Sequence, residues 1–278
     1  MYRQYSVYIL PGIAFLTITS FPPAYLCAQS IWLEHGWNKS MAVEYLRPNY
    51  TEGRYHTRPS ASIFFISGRY PIPDNILFVM ELPIVHASYG SNLYDESQTT
   101  IANPYIGVEA RRLGSRLSME LGFRLPVIPD GQSLVSYSGR VTDYDRYEAF
   151  LPHVIAFTGK GNIRWISASN KVGARLRLGQ TIWLSTRGAG GEMFFDYSLQ
   201  VGYLARNATL TSGLTGRLFV SGGGYGDLGE LFVHQFGLAA SVELGAIRPG
   251  IHFRIPLDED ILDAIDFVFG LNVGITFD

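Results

Sequence analysis

Phe267-Val268-Phe269-Gly270-Leu271-Asn272-Val273-Gly274-Ile275-Thr276-Phe277, with Asp278 after it, decides how this chain is read. Every odd position is apolar: Phe267, Phe269, Leu271, Val273, Ile275 and Phe277. The even positions are mostly small or polar. Side chains of a β-strand alternate between its two faces, so this segment has one greasy face and one small, polar face. Working back from it, the same two-residue rhythm recurs along the chain. Twelve strands are expected, near 41–48, 61–72, 76–88, 104–113, 116–127, 165–178, 181–188, 193–205, 208–221, 232–246, 249–257 and 265–277. A tilted strand needs about 9–11 residues to cross a bilayer, and most of these are long enough.

The connections carry a second signal. Pro73-Asp74-Asn75, Gly114-Ser115, Gly179-Gln180, Arg206-Asn207 and Ile247-Arg248 are short, and most hold the Gly, Asn or Pro that a tight turn wants. Between them fall mostly longer connections at 49–60, 89–103, 128–164, 222–231 and 258–264, with a short exception at 189–192. Short and long thus alternate along the chain. A β-sandwich has no reason to produce that alternation.

The N-terminus points to export. Arg3 is the only charge among the first 33 residues, an apolar run spans Val7 to Ile18, and Leu26-Cys27-Ala28-Gln29 follows. A single positive charge, a short greasy core and a small residue make a secretory signal peptide, with cleavage expected after Ala28. The apolar run is too short for a membrane helix, which needs about 20 apolar residues, and Pro11 interrupts it. The expected organisation is a signal peptide over 1–28, a short periplasmic segment over 29–40 and a barrel over 41–278. The mature chain then has no cysteine, which excludes disulfides, thiolate metal sites and a cysteine nucleophile.

Composition agrees. The chain is 14% aromatic, holds 30 glycines and is only 17% charged. Lysine is confined to Lys39, Lys160 and Lys171. A net charge of -2 leaves no basic surface for nucleic acid. With the strand rhythm, the alternating connections and the aromatic closing strand, the chain resembles bacterial outer-membrane β-barrels as a broad class. The resemblance implies an all-β, antiparallel up-and-down transmembrane barrel of about twelve strands. Short turns and both termini would face the periplasm, and longer loops the outside. It also implies contact with outer-membrane lipid and lipopolysaccharide, and recognition of the last strand by the assembly machinery.

The expected register divides the strand side chains into two sets. Phe64, Ile66, Met80, Leu121, Leu199, Val201, Phe236 and Leu238 are among those that face lipid, and no arginine or lysine is expected there. The strand charges face inward: Glu44, Glu81, Glu109, Glu120, Asp196 and Glu243 against Arg69, Arg111, Arg124, Lys171, Arg175, Arg217 and Arg254. These near-balanced charges either pair across the lumen as a structural network or line a polar path for a solute. One motif recurs among them, charge-aliphatic-Pro-aliphatic, in Glu81-Leu82-Pro83-Ile84, Arg124-Leu125-Pro126-Val127 and Arg254-Ile255-Pro256-Leu257. Proline cannot donate to a sheet ladder, so a strand end, kink or bulge is expected at each.

Loops beyond about 12–15 residues are usually functional or disordered. The connection 128–164 is such a loop. Its Tyr144-Asp145-Arg146-Tyr147-Glu148-Ala149-Phe150 forms a short helix ended by Pro152, and the loop is either a lid or constriction at the mouth or a surface loop. Enzymatic chemistry is sparse. His86-Ala87-Ser88 is the only His-x-Ser, and it lacks the Asn-Gly that follows in the outer-membrane phospholipase pattern. The six histidines show no metal-ligand spacing, so neither a metal nor a cofactor is expected. The leading expectation is a passive channel for a small solute through a charged lumen. A closed structural or surface-interaction barrel is the second, and a lipid hydrolase at the rim the third.

Overall fold

The computed structural model describes residues 32–33, 38–51, 58–72, 75–90, 95–111, 116–188, 190–221 and 231–277. The expected signal peptide lies outside them. The strands are β1 (Ser40–Tyr50), β2 (Arg58–Pro71), β3 (Ile76–Gly90), β4 (Asp95–Ile101), β5 (Tyr105–Arg111), β6 (Leu117–Arg124), β7 (Val154–Ile166), β8 (Val172–Ser185), β9 (Gly191–Leu204), β10 (Ala208–Phe219), β11 (Phe232–Val242), β12 (Ile247–Pro256) and β13 (Ile265–Thr276). Each pairs antiparallel with its neighbours, and β1 pairs with β13, so the sheet closes on itself. β4 and β5 pair with different halves of β3 and act as one broken stave, which makes a closed barrel of twelve staves. Closure pairs both sides of the staves that form the barrel wall, which is what a sheet in hydrocarbon requires, while β4 pairs with β3 alone.

The closing strand behaves as its pattern demands. Phe269, Leu271, Val273 and Ile275 are exposed, while Val268, Gly270 and Asn272 are buried. The lipid-facing set holds elsewhere, with Phe64, Ile66, Met80, Leu121, Leu199, Val201, Phe236 and Leu238 all exposed. Arg47 is the correction: it is exposed on the outward face of β1, three positions before that strand's outer end. Near an interface an outward arginine costs only about 0–1 kcal/mol, against about 2–4 at the midplane.

Prolines break the sheet where the recurring motif placed them. Glu81 pairs with Tyr105 and Ile84 with Ile101, so Leu82-Pro83 on β3 faces Ala102-Asn103-Pro104. Three residues opposite two make a bulge, and neither proline has an N–H to lose. β6 stops before Pro126 and β12 ends at Pro256.

Besides the turn expected at Ile247-Arg248, which falls at 245–246 and leaves both residues in β12, three expectations fail. The segments 165–178 and 181–188 are not two strands: β7 ends at Ile166, residues 167–171 form the turn, and β8 runs on to Ser185. Gly179-Gln180 lies inside β8, where a Cβ on Gly179 would overlap the Lys160 side chain on β7. Its glycine answers a close approach, not a turn. The turn itself has Asn170 at φ 54° and closes with Ser167 N–H on the Val172 carbonyl at 2.8 Å. The third failure is 89–103, which is not all loop, since β4 extends the β3 hairpin outward.

The long connection folds inward. It carries α1 (Ser133–Thr142) and a 3-10 helix over Tyr144–Phe150, with a kink at Arg146. Val135, Val141, Ala149 and Phe150 pack against Leu46, Ile63, Phe65, Val85, Ile265 and Val268 from the inner faces of β1, β2, β3 and β13. Burying a side chain such as Phe150 is worth about 1.5–3 kcal/mol. A barrel lumen wide enough to hold water instead holds a folded core in its outer half. A single turn, α2 (Glu259–Leu262), lies on the last outer connection.

Candidate functional site

Arg146 is the centre of the lumen. Its guanidinium donates to Glu44 at 2.6 Å, Glu81 at 2.9 Å and Asp143 at 2.7 Å. Its planar group also lies over the Phe65 ring, 3.4 Å from the centroid. Glu44 comes from β1 and Glu81 from β3, so one plug residue ties two staves together. Arg124 on β6 donates to the other oxygen of Glu81 at 2.5 Å. Arg254 on β12 donates to Asp143 at 2.9 Å. Burial alone would push the Asp143 carboxyl up, but Arg146 and Arg254 outweigh it and hold it down to about 2.

A second network lies on the far wall. Arg217 on β10 meets the plug's Glu148 at 2.9 Å and donates to Asp196 on β9 at 2.7 Å. Lys160 on β7 stands 3.4 Å from the same Asp196. Asp145 of the plug accepts from Thr215 on β10 at 2.9 Å. Arg69 and Glu109 pair directly between β2 and β5. Aromatic contacts reinforce this side: Tyr147 stacks on Trp183 at 5.5 Å, and Trp183 meets Phe194 at 4.0 Å.

Asn103 clamps the plug at the break between β4 and β5. Its amide donates to the carbonyls of Glu148 at 3.1 Å and Leu151 at 2.6 Å, and its oxygen accepts from Val127 N–H at 3.0 Å. The residue is fully buried. From the opposite end of the lumen, Trp32 reaches the plug and donates from its indole to Asp145 at 3.2 Å. Trp32 and Leu33 are both buried within the barrel.

Below the plug lies a cavity of about 550 Å³. It is bounded by the starts of β1, β8 and β10 and the ends of β9, β11 and β13, so it opens toward the short-turn, terminal end of the barrel.

Of the inward charges expected from sequence, Glu44, Glu81, Arg124, Arg217 and Arg254 meet the plug residues Asp143, Arg146 or Glu148, and Asp196 is joined to them through Arg217. Arg69, Glu109 and Glu120 are buried on the inner wall. Arg175 and Glu243 border the lower cavity. Arg111 is half-buried at the end of β5. Lys171 is a correction: it is exposed in the 167–171 turn, because the strand expected to carry it inward begins only at Val172. The sequence reading missed Lys160, Arg177, His252 and Asn103 on the inner wall, and Asp143, Arg146 and Glu148 as its partners. His86 is exposed on the outward face, with its Nδ1 2.8 Å from the Thr99 hydroxyl.

No family model matches the chain, and no curated protein matches it. Solved structures do. An outer-membrane channel from Pseudomonas putida F1 superposes with a TM-score of 0.59 over 89% of this chain and 98% of its own, at 11% identity. The translocator domain of the autotransporter NalP from Neisseria meningitidis gives 0.59 over 88% and 90%, at 12% identity. Such identities establish the fold alone. The chain has the fold of bacterial outer-membrane β-barrels, with the apolar outer band and closed sheet that place such a barrel in that membrane.

Proposed function

We propose that this barrel is a passive channel for a small solute, held closed by the inward-folded segment 128–153. The observation that supports this most is the charge on the inner wall: Glu44, Arg217 and Arg254 point inward from the staves and pair with residues of the segment 128–153. Removing the plug would leave a charged, water-sized path joined to the lower cavity. Glu81, Arg124, Lys160, Asp196, Arg217 and Arg254 would then line it. The outward aromatic rhythm of β13 supports recognition by the assembly machinery, as in other chains that close on such a strand.

A second reading, a closed structural barrel, draws on the apolar contacts of Phe150 and Val135, which fill the outer half. Ion flux through reconstituted protein separates the two. The channel reading expects rare openings in the wild type and sustained conduction once the plug's ion pairs are weakened. A folded barrel that conducts in neither form would favour the structural reading.

A further inference from the structure

We infer that the inner wall formed by β8, β9 and β10 is a binding site for a small molecule that carries an aromatic ring and a carboxylate, and that the plug's Tyr147-Glu148 fills it in the closed state. This rests on the channel reading only in supposing that the plug can leave this wall. Two neighbouring plug residues meet two neighbouring wall groups. The Tyr147 ring lies nearly parallel to the Trp183 indole, with 5.5 Å between centroids and 5° between planes. The Glu148 carboxylate stands 2.9 Å from Arg217 and 4.0 Å from Arg124. The Arg217 guanidinium is 6.0 Å from the Trp183 ring, so ring platform and cation adjoin each other on the wall itself. The plug thus presents the two groups of an aromatic acid side by side, to a surface that receives both.

Three features of the wall outlast the plug. Asp196 on β9 holds the Arg217 Nε at 2.7 Å, so the cation stays placed when Glu148 leaves. A guanidinium keeps its charge throughout and offers a carboxylate a planar fork. The row of rings also continues past Tyr147. Trp183 meets Phe194 at 4.0 Å, and Phe194 meets Phe219, the last residue of β10, at 5.0 Å. The row therefore runs from the outer end of the wall to the Tyr147 position. The third feature is the Trp183 indole N–H. Trp183 is 8% exposed, and its Nε1 has no acceptor among the described residues. A buried donor without an acceptor costs stability, and a phenol ring lying flat on the indole does not relieve it. A ligand oxygen in the plane of the indole would.

The test is titration calorimetry on the full mature protein in detergent, with three probes: hydrocinnamate, its amide hydrocinnamamide, and cyclohexanepropanoate. Hydrocinnamate should bind roughly tenfold more tightly than the amide, which lacks the charge-assisted hydrogen bond. It should bind about two- to tenfold more tightly than the cyclohexyl acid, which cannot stack. Because the plug competes for the same wall, Tyr147→Ala should tighten hydrocinnamate by about two- to tenfold, the range of one stacking contact. A tyrosine that serves packing alone gives no tightening. In the wild type, saturating hydrocinnamate should raise protease cleavage within 128–153, and the amide should not. Trp183→Leu and Arg217→Lys should each weaken binding roughly threefold or more. Arg206→Gln, exposed between β9 and β10, should leave it unchanged. Heat-dependent gel mobility checks the folding of each variant. Folded Tyr147→Ala protein that binds hydrocinnamate no more tightly than wild type, or no more tightly than it binds the two analogues, would overturn the proposal. Tightened binding by a barrel that never conducts would keep the site and remove the channel. Conduction by Tyr147→Ala protein without hydrocinnamate binding would remove the site and keep the channel.

Discussion

Replacing Arg146 with methionine should release the plug. Methionine keeps much of the length and the contact with Phe65, so the change removes mainly the charge. Three carboxylates lose a partner together. Glu81 keeps Arg124 at 2.5 Å and Asp143 keeps Arg254 at 2.9 Å, while the buried His252 ring lies 3.5 Å from Glu44. Removing one partner of a buried ion pair costs about 3–5 kcal/mol. At about 1.4 kcal/mol per decade, the docked-to-released ratio should fall between a hundredfold and a few thousandfold. Planar-bilayer recording reads this directly, as open time in Arg146→Met against wild type. Glu44→Gln placed on the same chain should recover part of the loss, because it removes one of the buried carboxylates that Arg146 neutralises. An Arg146→Met barrel that is folded, closed and as heat-stable as wild type would refute the reasoning.

Other outcomes follow from the same contacts. Asn103→Ala should loosen the plug by about 2–4 kcal/mol, since it strands two carbonyls and the Val127 N–H; protease cleavage within 128–153 measures it, and unchanged protection would contradict it. Gly139→Ala should destabilise by about 1–3 kcal/mol despite alanine's better helix propensity, because a Cβ there would overlap the Phe150 ring; thermal melting checks the sign. The Asp143 carboxyl is depressed from about 3.9 when unfolded to about 2 when docked. A depressed carboxyl stabilises the docked state above its unfolded value and loses that contribution as pH falls through its folded one. Conductance should therefore be flat from neutral pH down to about 4 and rise between about 4 and 2. An opening near pH 6 that Asp143→Asn abolishes would contradict this.

Much of the barrel was legible because lipid enforces a local rule. In β13 and β9 the outward positions must be apolar, so the alternation survives in sequence whatever the barrel does. β7 was not legible because its outward row, Ile155, Phe157, Gly159, Gly161, Ile163 and Trp165, is interrupted by two glycines. The turn after it was misplaced for a related reason: Gly179 makes room for Lys160 across the ladder, and that pairing is invisible without the fold. The inward charges were legible as a face. Their partners were not, because Arg146 meets residues 102 and 65 positions away, and no periodicity links a loop to the strands that surround it. The one hint was local, an arginine set among three acids in a loop too long to be a plain connection.

The most direct measurement is single-channel recording on a barrel in which residues 131–152 are replaced by a short Gly-Ser linker. The channel reading predicts steady ohmic conductance from folded protein, against rare openings in the wild type. A folded, heat-modifiable deletion barrel that stays silent would contradict it.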